Sequence, residues 1–155
     1  MAPHQLHRRQ FIPLSLEQAW SFFSTPRNLE VITPDFLHFR ILSAVPDDLC
    51  NGLIIAYRIA AVGGIPMTWV TEIKHVIPQR QFVDEQRMGP FRFWFHEHRF
   101  EPVEGGIEMI DTVHYVMPWG PLGEIVHALF IKQRLTRIFD YRASFIQQRW
   151  PSGHS

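Results

Sequence analysis

Polar and apolar positions alternate with a period of two through most of residues 36–117, then change to helical spacing after residue 121. The alternation predicts strands near 36–44, 53–62, 65–77, 81–87, 91–102 and 107–117, after a first strand over 4–13. Pro46-Asp47-Asp48, Gly63-Gly64, Pro78, Gly89-Pro90 and Gly105-Gly106 supply the turns between them. Between the first and second strands Ser15 opens a short helix, and Gln18 three residues later completes a capping box. A second brief helix follows Thr25-Pro26 and stops at Thr33-Pro34. Leu122, Ile125, Val126 and Leu129, then Leu135, Ile138, Phe139, Arg142, Phe145 and Ile146, keep helical spacing to about Arg149. At ~1.5 Å per residue such a helix is near 40 Å long, enough to cross a whole sheet. The order describes an α+β fold in which a curved antiparallel sheet of six to seven strands wraps a long C-terminal helix and leaves space between the layers.

Strand register decides which side chains reach that space. On 65–77, Glu72 and Lys74 share one face, so Trp69, Thr71 and Ile73 turn inward. On 91–102 one face holds Phe91, Phe93, Phe95, Glu97 and Arg99, and the other holds Trp94, His96, His98 and Phe100. A hairpin turn at Glu104-Gly105 pairs Phe100 with Met109, His98 with Asp111, His96 with Val113 and Trp94 with Tyr115. A carboxylate opposite an imidazole makes the Trp94 face chemically consistent as the inward one.

Composition narrows the class of protein. At 155 residues, with 46% hydrophobic and 19% charged residues, the chain suits one globular domain over residues 1–155. Its net charge of zero argues against a nucleic-acid partner and gives no pull towards an anionic membrane surface. No apolar run approaches the ~20 residues of a membrane span, so no stable membrane insertion is expected. Cys50 is the sole cysteine and no apolar signal segment follows Met1, which makes a reducing, cytoplasmic location the expectation.

The residues GIPMTW (64–69), FVDEQRMGPF (82–91), WFHEHRF (94–100), DTVHY (111–115) and PWGPLG (118–123), in this element order, resemble the SRPBCC superfamily. This is the START-related, helix-grip group that includes the birch-pollen allergen and polyketide cyclase/dehydrase-like proteins. The resemblance is closest to a bacterial branch that also occurs fused to sugar-epimerase-like proteins. It spans nearly the whole chain and implies the helix-grip fold. It further implies that positions Trp94, His96, His98, Asp111 and Tyr115 recur as a motif, which supports the inward face chosen above.

Three functional readings follow. In the first, a small, largely apolar ligand, lipid, isoprenoid, quinone or polyketide-like, occupies the space between sheet and helix. Trp69, Trp94 and Tyr115 are then walls, and Asp84, Gln86, His96, His98 and Asp111 orient its polar atoms. In the second, a cyclase, dehydratase or isomerase uses His98 and Asp111 as an acid–base pair. In the third, Phe91, Phe93 and Phe95 form an outer patch for homodimerisation or another protein partner. His96 and His98 with Asp111 or Asp84 also have the donor types zinc uses, but the spacing lacks a further compulsory ligand, and neither metal nor cofactor is expected. Arg134, Arg137 and Arg142 read as a solvated flank of the long helix, with the alternative that Arg142, which falls on the apolar stripe, reaches the pocket's end to meet an acidic ligand group. His4, His7, His38, His75 and His127 form no interpretable pattern.

Overall fold

The computed structural model describes residues 3–60 and 62–152. Strand β1 (His4–Ile12) is followed by helices α1 (Leu16–Phe23) and α2 (Asn28–Val31) and the short strand β2 (Arg40–Ile41). Strands β3 (Ile54–Ala60), β4 (Pro66–Ile77), β5 (Gln81–Met88), β6 (Phe93–Val103) and β7 (Gly106–Val116) come next. The C-terminal helix runs through α3 (Gly120–Val126), a π-helical turn at His127–Ile131 and α4 (Lys132–Arg149). All seven strands form one antiparallel sheet in the order β1-β7-β6-β5-β4-β3-β2. Register shifts along β4, between Val70 and Thr71 and between Lys74 and Ile77, locally strengthen its twist and bend.

Local chemistry accounts for most boundaries. Ser15 Oγ accepts from the Gln18 amide while Gln18 Oε1 accepts from the Ser15 amide, so the capping box starts α1 as the sequence indicates. The strand expected over 36–44 shrinks to two residues. Asp35–Leu37 forms a 3-10 turn and His38 takes a left-handed φ of 45°, which prevents extended pairing until Arg40.

The β6–β7 register matches the hairpin reading: Phe100 faces Met109, His98 faces Asp111, His96 faces Val113 and Trp94 faces Tyr115. Trp94, His96, His98 and Phe100 are buried, as are Trp69, Thr71 and Ile73 on β4. The opposite face of β4 and β5 is polar, with Lys74 Nζ 2.8 Å from Glu85 and Arg87 paired to Glu72. Phe91 departs from the expected outer patch. It precedes the first residue of β6, is free of that strand's alternation, and packs its ring on Trp69, Trp94 and Tyr115. The outer face therefore keeps two rings, Phe93 and Phe95, and loses the third.

Two apolar clusters make the core. Trp69, Trp94, Val113, Tyr115, Leu135 and Phe139 belong to one, and Ile12, Phe23, Phe82, Phe100, Met109 and Ile146 to the other. On β6 the two histidines lie between the clusters, on β7 Asp111 does, and on α4 Arg142 does. Helical spacing aligns Leu135, Phe139, Arg142 and Ile146 on the face of α4 that meets the sheet.

The two faces of β6 differ in what they contribute to stability. Phe100→Ala, at a site 2% exposed, is expected to cost about 3–5 kcal/mol in urea unfolding. Phe93→Ala, at a site 42% exposed, is expected to cost less than about 1 kcal/mol. Equal losses would contradict the assigned faces.

Candidate functional site

A cavity of about 760 Å³ lies between the sheet and the C-terminal helix. Ile55, Tyr57 and Ile59 from β3, and Met67, Trp69 and Ile73 from β4, form much of its sheet-side wall, facing Leu135 and Phe139 of α4. Aromatic rings interlock there: Trp69 lies edge-on to Trp94 at 5.2 Å and stacks on Tyr57 at 5.9 Å between centroids. A few polar residues interrupt the apolar wall, notably Asp84, His96, His98 and Arg142. The cavity lining also includes Trp119 and Ile65, which are 72% and 67% exposed and so mark its mouth.

The polar patch is a closed ionic group spread over four elements. Asp84 on β5 stands opposite His96 on β6, and Asp111 on β7 stands opposite His98. The directed hydrogen bonds run diagonally. His96 Nε2 donates to Asp111 Oδ1 at 3.0 Å, and His98 Nε2 donates to Asp84 Oδ2 at 2.8 Å. The directly opposed pairs are close as well, at 3.2 Å for His96 Nδ1 to Asp84 and 2.8 Å for His98 Nδ1 to Asp111. Although His98 Nδ1 is this close to Asp111, it makes no hydrogen bond of acceptable angle. Diagonal neighbours on a sheet are within reach of long side chains, which is why the expected His98–Asp111 bond passes instead to His96.

Each carboxylate has a further partner. Trp94 Nε1 donates to Asp84 Oδ1 at 3.2 Å, and Arg142 Nη1 lies 3.5 Å from Asp111 Oδ1. Burial alone favours a neutral His96, but Asp84 and Asp111 outweigh it and raise its pKa to about 9. Burial likewise opposes ionised Asp84, yet His96 and His98 hold its carboxyl below the usual range. Asp111 is held well below that range by Arg142 and the two histidines, again against burial. At neutral pH the Asp84 and Asp111 carboxylates thus face the His96 imidazolium and the Arg142 guanidinium.

The sequence-selected residues separate into wall and support. Trp69, Asp84, Trp94, His96 and His98 line the cavity. Asp111 is outside the lining, behind the two imidazoles and next to Arg142. Gln86 is also outside it; its side-chain amide donates to Phe91 O at 2.7 Å and accepts from Phe91 N at 3.3 Å, bracing the turn before β6. Tyr115 turns its hydroxyl to His127 Nε2 at 2.8 Å rather than into the cavity. Arg142 is buried and lines the cavity, as its place on the apolar stripe allows, and does not belong to a solvated flank. Tyr57, Phe91 and Trp119 lie outside the sequence-selected wall, and Phe91 in particular is misassigned by continuing the strand alternation two residues beyond the start of β6.

Asp84, His96 and His98 also bring ligand atoms within 4.8 Å of one another, the donor types of a zinc site. Both nitrogens of a charged His96 face carboxylates, so at neutral pH the arrangement works as an ion-paired network. A second group, His4, Glu124 and His127, joins β1 to α3, with His4 Nε2 2.9 Å from Glu124 and the two imidazoles stacked at 3.7 Å. Burial and the neighbouring His4 lower the His127 pKa.

The raised His96 pKa sets a pH dependence. A folded value of about 9 against an unfolded value near ~6.5 means that its stabilisation is complete below about pH 6.5 and disappears as pH rises through about 9. Unfolding midpoints in urea should fall across that interval. Asp111→Asn should lower the His96 pKa, followed by NMR titration of its ring protons, and destabilise the fold by about 3–5 kcal/mol. A parent-like His96 titration in that variant would contradict the network.

Among curated proteins no match is found. Solved structures match well in fold. A protein from Chromobacterium violaceum has a TM-score of 0.72 at 12% identity, over 97% of this chain and 100% of that one. The di-domain ARO/CYC StfQ from the steffimycin biosynthetic pathway gives 0.64 at 10% identity, over 96% of this chain and 52% of that one. A nucleoside-diphosphate sugar epimerase from Corynebacterium glutamicum gives 0.66 at 20% identity, over 92% of this chain but 28% of that one. At these identities the likeness speaks for the fold alone. The family model described as polyketide cyclase / dehydrase and lipid transport matches residues 12–138, and with that span and the helix-grip architecture the chain belongs to this family within the SRPBCC superfamily.

Proposed function

We propose that the protein binds a small, largely apolar molecule in the cavity between its sheet and C-terminal helix. The observation that carries this reading is the cavity itself: about 760 Å³, walled by aliphatic and aromatic side chains, with one polar patch. The patch supplies orientation. Its charges are matched internally, which favours an uncharged polar end on the ligand over a free carboxylate. Arg142 lies 3.5 Å from Asp111, 3.9 Å from Met109 Sδ and over the Phe23 ring at 5.7 Å, and among the described residues its Nε has no hydrogen-bond partner, so a ligand oxygen has a cation with spare donors within the cavity wall.

A second reading has its own observation. His98 and Asp84 are hydrogen-bonded and both line the cavity, so a bound carbonyl compound meets an imidazole–carboxylate pair, with Asp111 behind it. That constellation suits proton transfer in a cyclisation, dehydration or isomerisation, and differs from the His98–Asp111 pair expected from register in which carboxylate meets the substrate.

The test uses a neutral naphthalene dye together with native mass spectrometry for a co-purified molecule. Dye binding should quench tryptophan fluorescence, and Ile55→Trp, which fills the cavity from its wall, should weaken dye affinity by about tenfold or more while the protein remains folded. Unchanged affinity in that variant would refute cavity binding. For the catalytic reading, Asp84→Asn should abolish most turnover of a competent carbonyl substrate and leave its binding nearly intact; a binder shows no turnover to lose.

A further inference from the structure

The segment that follows β7 is apolar on its outside. Trp119, Leu122, Ile125, Leu129 and Phe130 are all more than half exposed. Leu122, Ile125 and Leu129 fall at i, i+3 and i+7, a single helical stripe. The π-helical turn at His127–Ile131 adds a residue to that turn of helix and leaves Leu129 and Phe130 in solvent while His127 and Ile131 are buried. Trp119 adopts a left-handed φ of 65°, a costly conformation for a bulky residue, and its ring is turned outward instead of into the core. Ile65, from the β3–β4 connection, adds another exposed apolar side chain on the cavity mouth.

From these observations we infer that the Trp119–Phe130 face, with Ile65, docks on an anionic phospholipid surface and opens the cavity mouth against it. Two features select a lipid surface as the occupant. The first is continuity: Trp119 and Ile65 belong both to the patch and to the lining of an apolar cavity, so a bilayer covering the patch also covers the entrance. The second is charge. Residues 119–138 contain three cations, Lys132, Arg134 and Arg137, against the one carboxylate of Glu124, which is already paired to His4. The whole chain is neutral, so this excess of two positive charges is local. Arg134 donates to Ala60 O at 2.7 Å and lies over the Phe36 ring at 5.2 Å, and Arg137 lies over the same ring at 4.9 Å while remaining exposed, as Lys132 is. An apolar helical face with a tryptophan at one end and basic side chains beside it is the pattern of a helix lying in a membrane interface. A second copy of the chain meets the apolar requirement but brings the same basic excess to both sides of the contact. This docking goes beyond the cavity-ligand reading and stands without it.

Flotation with vesicles of synthetic phosphatidylcholine, with and without phosphatidylglycerol, tests the inference. The full chain is expected to float with the phosphatidylglycerol vesicles, and brominated acyl chains should quench part of its tryptophan emission. Leu129→Gln/Phe130→Gln should weaken vesicle partitioning by about tenfold or more while the thermal midpoint stays near the parent's. Should that variant fail to fold, Leu122→Gln/Ile125→Gln probes the same stripe. Lys132→Glu/Arg137→Glu should reduce binding to the anionic vesicles, and added salt should do the same. Three results overturn the proposal: no flotation with either vesicle, flotation unchanged by the stripe substitutions, or a lipid-free dimer in sedimentation that the stripe substitutions dissociate, which would make a second copy the occupant. Dye binding to the cavity is measured without vesicles, so failure of docking and failure of the ligand reading are separate outcomes.

Discussion

The buried charge balance around His96 organises this molecule. Asp84, His96, Asp111 and Arg142 come from β5, β6, β7 and α4, and a buried charge among them is stabilised by its opposite neighbours. That requirement turns the Trp94–Phe100 face of β6 inward although the other face begins with phenylalanines. It also fixes the rotation of α4, since Arg142 must meet Asp111 and this places Leu135, Phe139 and Ile146 on the sheet side. One polar layer thus sets strand register and helix orientation together, and divides the apolar core into two clusters.

The same layer shapes the cavity. On one side of it, Phe100, Met109 and Ile146 pack with Phe23 and Phe82, whose rings also line the cavity. On the other, the rings of Tyr57, Trp69, Phe91 and Trp94 form a wall facing Leu135 and Phe139, with space left between sheet and helix. The polar group therefore lies along the wall of an apolar chamber, where a ligand meets matched charges instead of a lone ion. A matched group orients a neutral polar atom without demanding a counter-charge from the ligand. Its low internal dielectric also makes every hydrogen bond to it strong.

At the opposite end the chamber opens beside residues whose exposure the core does not require. The π-helical turn and the left-handed Trp119 both occur there, and both depart from regular backbone while directing large apolar groups outward. Departures of this kind persist only where the surrounding fold holds them. The cavity, its polar floor and this apolar rim form one continuous path from interior to surface.

The sequence by itself determined the element order, the capping box at Ser15, the β6–β7 register and the inward face of β6, because each depends on local chemistry: turn residues, a period of two, and a carboxylate opposite an imidazole. It also placed Arg142 on the helix face that meets the sheet. Tertiary structure decided which neighbour each polar side chain reaches. Asp111 bonds diagonally to His96, Gln86 braces Phe91, and Tyr115 turns to His127, choices made by side-chain reach between strands and by the approach of α3. Strand alternation put Phe91 outside, but the turn held by Gln86 sends its ring inward before β6 begins. Helical spacing marks the apolar stripe at Leu122–Leu129 as a face without saying what covers it; only the packed fold reveals that these side chains are exposed.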